Sequence, residues 1–387
     1  MPRKKINLLI PIAGKAQRFL DEGYRMPKPL IMVKDELMIE RAMTSVSWED
    51  CNLIFVVRRD HIHSFSIDKI LKEKFGKNVS IIATDGITRG TLCTCLLAED
   101  LIDNDNPLLI YTPDVCFENQ FNPYEIDPEL DGLLLTFKAN SEAHSYVQLD
   151  DDGYAIKTAE KVVISENAAV GVYYFKKGSE FVSKGNQMVD NEMTVNNEFY
   201  ICPIYNLFID DKSLIKIKEV EKMHVLGTPR ELEFYTKNVF PKFGDRKVAL
   251  ACDHSGFKIK EMTRTDLEDF SVPYVDFGTL VNKGCDYSDF VSQATSAILD
   301  NYCDFGMGFC RTGQGVNITA NKTNGIRSAI VCDEYTAEMS RRHNCANFFC
   351  IPEKYVDEDK LKGIVKSLMK HTFDGGRHMT RLVKAEK

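Results

Sequence analysis

The chain has no Cys-x-x-Cys pair, no apolar run long enough to cross a membrane, no internal repeat, no low-complexity tract and no surplus of positive charge. Each absence removes a class of function. Twelve cysteines stand among 387 residues, but they are scattered. Cys51, Cys202, Cys252, Cys332 and Cys350 sit in or beside apolar runs, the setting of small buried hydrophobes. Cys93 and Cys95 are one residue apart, which is poor spacing for zinc ligands. The apolar run Ile6–Ile12 follows a basic stretch, Met1 to Lys5. It is too short for a span and lacks a small-residue cleavage pattern. A cytoplasmic location is therefore expected. A net charge of −8 speaks against general nucleic-acid binding, so neither nucleic acid nor membrane is expected as a partner.

What is present suggests two or three globular domains, with an ordinary hydrophobic content of 44%. Ile6–Ile12, Leu53–Val57, Val79–Ala83, Leu108–Tyr111 and Leu133–Phe137 read as short β-rich runs, with helical patterns between several of them. Tyr146–Leu149 and Ala169–Phe175 read as strands without full helices between, which predicts a mixed sheet. Pro241 and Gly244 mark a turn, and the pattern then restarts. The second series runs through Val248–Cys252, Lys258–Phe270, Val272–Phe277, Val291–Asn301, Phe305–Phe309, Gly325–Val331, Asp333–His343, Ala346–Ile351 and Asp357–Lys370. This predicts an α/β protein with two domains, 1–240 and 246–387. The first is a mixed sheet and the second a doubly wound parallel sheet.

Gly14 follows the first strand, at the carboxyl edge where α/β sheets bind ligands. Arg18 offers a fork of donors to phosphate oxygens and Lys15 adds charge. Lys28 stands between Pro27 and Pro29, a rigid presentation suited to polyphosphate. Asp114 ends another strand and suits a divalent cation. Residues 1–240 resemble the sugar-nucleotide pyrophosphorylases through Ala13-Gly14, Arg18-Phe19, Pro27-Lys28-Pro29-Leu30, Thr88-Arg-Gly90, Asp114, Glu160-Lys161, Gly171-Val-Tyr173, Glu198-Phe-Tyr200, Tyr205-Asn206 and Gly227-Thr-Pro229. The resemblance implies an NTP held by Ala13, Gly14, Lys15 and Gly90, with Arg18 and Lys28 as catalytic cations. It implies Mg²⁺ on Asp114, and Glu160, Lys161 and Glu198 facing a sugar phosphate. Two positions depart from that pattern. Ala16 stands where many relatives carry Gly or Ser, and Val225-Leu226 stand where many carry a second metal-binding acid. Either Asp114 and phosphates alone hold the metal, or an acid such as Glu221 substitutes. His224 is expected to pack or touch substrate.

Residues 306–322 place Cys310 at the end of a buried strand, on a glycine-rich turn. Gly313 and Gly315 are expected to bend the backbone so that successive N–H groups face one point. Such a nest holds an oxyanion, and a thiolate beside it can take a proton from carbon. The last domain resembles type B ribose-5-phosphate isomerase and galactose-6-phosphate isomerase. The shared motifs are Ala251-Cys-Asp-His-Ser-Gly-Phe257, Asp286-Tyr-Ser-Asp289, Cys310-Arg-Thr-Gly-Gln-Gly315, Ala320-Asn-Lys322, Gly325-Ile-Arg327, Ser340-Arg-Arg-His-Asn344 and Gly375-Gly-Arg-His378. That implies Cys310 as the base that moves a proton between C1 and C2, and His254, Arg377 and Arg381 on the substrate phosphate. Asp253 and His343 would assist ring opening, Asn344 would place hydroxyls, and Thr312 and Tyr287 would line the pocket. It also implies no metal cofactor and a site built between two subunits, hence a homodimer or higher homo-oligomer. Bland alternatives stand beside these roles: His343 as a helix cap, Arg377 and Arg381 as a solvated helix face. Arg311 replaces a glycine usual in relatives, Gln314 an apolar residue, and Lys354 a common arginine. Arg311 either tunes the thiol or reads a different sugar, or it blocks the site.

Together the halves imply a bifunctional enzyme of nucleotide-sugar biosynthesis for capsule or cell-surface polysaccharide. It would isomerise a sugar phosphate and transfer a nucleotidyl group to a sugar phosphate, with CTP favoured among NTPs. The alternatives are a nucleotidyltransferase whose second domain only dimerises it, and a sugar-phosphate sensor.

Overall fold

The computed structural model describes residues 4–33, 36–239, 246–375 and 377–385, with the side chains of 237, 238, 377, 380 and 383 outside the description. The chain forms two compact units, Met1–Leu232 and Glu233–Lys387. The turn expected at Pro241 and Gly244 falls outside the described residues.

In the first unit the strand Asn7–Pro11 lies between Asn52–Arg58 and Leu108–Tyr111, parallel to both, and Ser80–Thr84 extends the parallel set. The sheet then turns antiparallel. Asn167–Phe175 pairs with Leu108–Tyr111 and with Gly132–Lys138, which carries Ile215–Glu219 on its other side. The hairpin of Ser145–Leu149 and Ala155–Glu160 joins where Tyr146 meets Ala168. This is the mixed sheet that the sequence predicts. Leu8, Ile10, Phe55 and Val57 enter one hydrophobic core, with Ile39 and Leu71 from helices. Leu9, Ile54 and Val56 enter another, with Leu92 and Phe181 from other helices. Burial on both faces explains why these strands read as unbroken apolar runs rather than alternating ones.

The second unit is a five-stranded, all-parallel sheet in the order Tyr274–Asp276, Val248–Cys252, Phe305–Cys310, Phe348–Pro352, Ser328–Ile330. The two edge strands are shorter than the runs predicted from sequence. Gly325 has φ 87°, a left-handed turn that no strand continues. Helix Tyr287–Leu299 begins four residues before the expected Val291, with Asp286 at its N-cap position. Residues Gln314–Asn321 are helical, which the glycine-rich sequence obscured.

The central strand shows how sequence sets packing. Phe305, Met307 and Phe309 fill one core, and Cys310 belongs to the core on the other face. Gly306 and Gly308 also face that side. A Cβ at either position would stand 2.6 Å from the Phe348 ring. The paired glycines therefore make the bed for that aromatic ring. Gly308→Ala is expected to cost about 1–3 kcal/mol by overpacking, measured by urea unfolding. Combining it with Phe348→Leu should cost less than the two single changes added together.

Candidate functional site

A cavity of about 540 Å³ opens at the carboxyl edge of the first unit's parallel strands. Ala13, Gly14, Lys15, Arg18, Lys28, Gly90, Asp114 and Glu198 all line it, so residues far apart in the sequence converge. Two backbone contacts shape the walls. Gly90 has φ 142°, and a side chain there would collide with the Phe199 backbone. Leu92 N donates to Phe199 O and Phe199 N to Arg89 O, so the segments bearing Gly90 and Glu198 are stitched together. Gly171 sits at a break in strand register with φ 88° and packs on Thr112, another lining residue. Ala16 adopts the left-handed φ of 51° at the start of helix Gln17–Asp21, a conformation that favours glycine.

Lys28 Nζ lies 2.7 Å from Asp114 Oδ1. The lysine is 12% exposed and the aspartate 64%, so the cation is fixed while the carboxylate faces open space. Pro29 and the short 3₁₀ turn Lys28–Leu30 hold the lysine in place. A hard carboxylate oxygen in a phosphate-sized cavity fits Mg²⁺, which commonly takes one or two carboxylates and completes its shell with phosphate and water. Among the described residues no three acidic, histidine or cysteine side chains converge as a closed metal cage.

Glu221 does not substitute as a second acid. It pairs opposite Glu118, while Val225 pairs opposite Val115. That register leaves it four residues along the strand from Asp114, roughly 13 Å. Its carboxylate instead accepts from Asn119 Nδ2 at 2.7 Å. Leu226 donates its N–H to Asp114 O at 2.7 Å and is fully buried. His224 is buried, and burial, with Lys222 and Arg41 adding to it, drives its pKa down to about 3. It is a packed neutral imidazole.

Glu160, Lys161 and Glu198 form a second group. Ser145 Oγ donates to the buried Glu160, and burial pushes that carboxyl up. Lys161 Nζ donates to Tyr200 OH at 2.6 Å, which raises its pKa, and Tyr200 OH donates to Glu198. The sequence reading gave Tyr200 no role. Its signal was the i, i+2 spacing from Glu198, which in extended chain puts both on one face.

In the second unit Cys310 ends its strand, 5% exposed. Phe309 pairs with Cys252, so Asp253 emerges beside Cys310 at the same edge. Asp253 Oδ1 accepts from Ser255 Oγ at 2.7 Å and Gly256 N at 2.9 Å. A side chain on Gly256 would collide with the Phe309 carbonyl, so this turn rests directly against the thiol strand. Cys285 N donates to His254 Nδ1 at 3.4 Å. Gly313 has φ 72°, as a bend requires. Gly315 does not bend the chain. It lies in helix Gln314–Asn321, and its missing side chain makes room for the Tyr287 ring. Thr312 and Arg311 are exposed beside the thiol.

The remaining residues lie elsewhere. His343 is the C-cap of helix Glu334–Arg342, which returns from strand Ser328–Ile330 to the amino edge of the sheet. Its ring stacks on His378 at 4.2 Å. Asn344 is exposed beside it. Asp374 N donates to Arg342 O, placing the approach to helix Arg377–Ala385 at that same edge. Arg381 is exposed on that helix, and the Arg377 side chain is outside the described residues. Strand Phe305–Cys310 spans about 17–20 Å between the edges. One chain therefore does not bring His343, Asn344 or Arg381 to its own Cys310.

A thiol, an anchored carboxylate and a glycine turn at one carboxyl edge define an α/β domain equipped to handle a carbon acid. Residues 248–385 match the family described as Ribose/Galactose Isomerase. Ribose-5-phosphate isomerase B of Escherichia coli (strain K12) is 34% identical over 137 residues, 35% of this chain and 92% of that protein. Through this unit the chain belongs to the ribose/galactose isomerase family. A nucleoside-diphosphate-sugar pyrophosphorylase from Vibrio cholerae RC9 covers 59% of this chain and 99% of its own, with a TM-score of 0.54 and 22% identity. That likeness is one of fold.

His224 generates a pH prediction. The folded protein keeps it neutral to about pH 3, while the unfolded chain binds a proton below about 6.5. Its contribution is complete above pH 6.5 and is lost as the pH falls toward 3, at up to about 1.4 kcal/mol per unit. The stability of wild type relative to His224→Leu, followed by urea unfolding from pH 7 to 4, should fall with that slope.

Proposed function

We propose that the chain is a bifunctional enzyme of nucleotide-sugar formation. The first unit transfers a nucleotidyl group from an NTP, CTP foremost, to a sugar phosphate. The second interconverts aldose and ketose phosphates. The carrying observation is the cavity that gathers Lys15, Arg18 and Lys28 around the exposed Asp114 carboxylate. Three cations and a carboxylate lining one cavity suit a triphosphate better than a neutral ligand.

In this reading Lys28 leaves Asp114 for a phosphate oxygen, and Arg18 and Lys15 neutralise others. Asp114 would hold Mg²⁺, which supplies charge neutralisation at the phosphates when bound. Lys161 and Glu198 orient the acceptor. An oxygen of the acceptor phosphate attacks the α-phosphorus, the bond to the bridging oxygen breaks, and pyrophosphate leaves. Catalysis is positioning and charge stabilisation, with no covalent enzyme intermediate.

In the second unit the Cys310 thiolate takes a proton from one carbon of the open sugar, and N–H groups after Cys310 steady the enediolate oxygen. The thiol proton, which exchanges with solvent, is delivered to the neighbouring carbon while the hydroxyl proton passes from one enediol oxygen to the other, so the thiolate is regenerated. Asp253 assists ring opening, and His254 and Arg381 hold phosphate. The separation of these groups across two sheet edges supports a homodimer in which a second copy supplies His343, Asn344, Arg377 and Arg381. Isomers carry phosphate on the terminal carbon, so a terminal phosphate is the acceptor that links the reactions. A cytoplasmic role in capsule or cell-surface polysaccharide formation follows from that product class.

Incubation with each NTP, Mg²⁺ and a panel of pentose and hexose phosphates, with products identified by mass spectrometry, tests the coupling. Turnover confined to sugar 1-phosphates would refute the terminal-phosphate acceptor. Cys310→Ala should abolish deuterium exchange from solvent into the sugar and leave pyrophosphate release within about twofold. Cys310→Ala and His343→Ala subunits mixed through denaturation and refolding should regain about a quarter of wild-type isomerase activity, since half the dimers then hold one intact site. No recovery would rule out the shared site.

A further inference from the structure

We propose that Tyr200 is a positioning residue of the first site, whose hydroxyl keeps Lys161 and Glu198 linked yet apart so that both stay free to meet the acceptor. The inference rests on the acceptor role given above to Lys161 and Glu198. A phenol has one proton to give. Here it goes to Glu198 Oε2, so the oxygen lone pairs face the ammonium of Lys161, 2.6 Å away. The order of donors is therefore fixed: ammonium to phenol, phenol to carboxylate. Lys161 Nζ also lies 4.7 Å from the Tyr200 ring centroid, so the ring face adds a cation–π attraction.

The alternative partners show what the hydroxyl prevents. Glu160 and Glu198 are the carboxylates whose charge the Lys161 ammonium feels. Glu160 is buried and already accepts from Ser145 Oγ. Glu198 is exposed and lines the cavity. Among the described residues Lys161 makes no direct ion pair with either. Lys161 springs from a left-handed residue, φ 57°, directly after strand Ala155–Glu160, so its backbone is fixed and its long side chain is the free variable. Without the phenol oxygen, that chain can close on Glu198. A direct ion pair would cancel the charge a phosphate needs and occupy the carboxylate a sugar hydroxyl needs. The hydroxyl acts as a spacer one oxygen wide.

Tyr200→Phe keeps the ring and its packing and removes only the spacer. Pyrophosphate release would be followed with CTP and either ribulose 5-phosphate or glucose 1-phosphate. The KM for the sugar phosphate should rise roughly tenfold, as loss of one hydrogen bond to a charged group allows. KM for CTP, kcat and Tm should stay within about twofold or a few degrees. A crystal structure of Tyr200→Phe should show Lys161 Nζ within about 3 Å of the Glu198 carboxylate, and this decides the matter even where neither sugar turns over. Lys161 unmoved in that structure, or an unchanged sugar-phosphate KM, would overturn the proposal. A parallel rise in both KM values with a lowered Tm would mark Tyr200 as structural and overturn it too. Lys161→Ala separates the two levels. If it raises the sugar-phosphate KM while Tyr200→Phe does not, only the spacer falls. If it leaves that KM unchanged, the acceptor role of Lys161 falls and the spacer with it.

Discussion

A parallel sheet covered on both faces has no room for polar chemistry except at its edges. Both units obey that constraint. In the first, the faces of Asn7–Pro11 and Asn52–Arg58 are fully committed to two cores. In the second, Val248–Cys252 and Phe305–Cys310 are committed likewise. Every loop that leaves a carboxyl end thus becomes a candidate for ligand contact, and residues leaving the amino end are held a full strand length away. The first consequence gathers Gly14, Lys28, Gly90 and Asp114 into one cavity. The second parts His343 from Cys310 within one chain.

Glycine enters the argument in different ways at different positions. Gly306 and Gly308 make a bed for Phe348, and Gly315 makes room for Tyr287. Gly90 and Gly171 combine close approach with a positive φ, and each seats a wall of the first cavity. Several residues with chemical groups are in turn held by polar contacts. Lys28 rests on Asp114, Asp253 on Ser255 and Gly256, and Lys161 on Tyr200. These are exchangeable partners.

Much of both folds was legible because hydrophobic runs bounded by turn residues are direct signs of buried strands. The central runs, Leu53–Val57 and Leu108–Tyr111, match observed strands closely. Errors fell where local sequence and tertiary setting disagree. Residues Gln314–Asn321 carry a glycine and a preceding Gly-rich turn, yet form a helix because Val316 and Ala320 are buried in the core beside Cys310. Glu221 offered the residue type for a second acid, but register takes it away from Asp114, and register is set by strand pairing that the linear chain does not display.

The two sheets, their strand-ending loops and the residue types able to carry phosphate and proton chemistry are written in the chain, because periodicity and glycine, proline and charge placement act locally. Which of those residues meet was settled by the assembled fold. It brought Tyr200 between Lys161 and Glu198, occupied Lys28 with Asp114, turned His224 into packing, and sent His343 and Arg381 to the edge opposite Cys310. Those outcomes depend on pairing register and on which end of a parallel strand a loop leaves, and both are properties of the assembled sheet rather than of any segment within it.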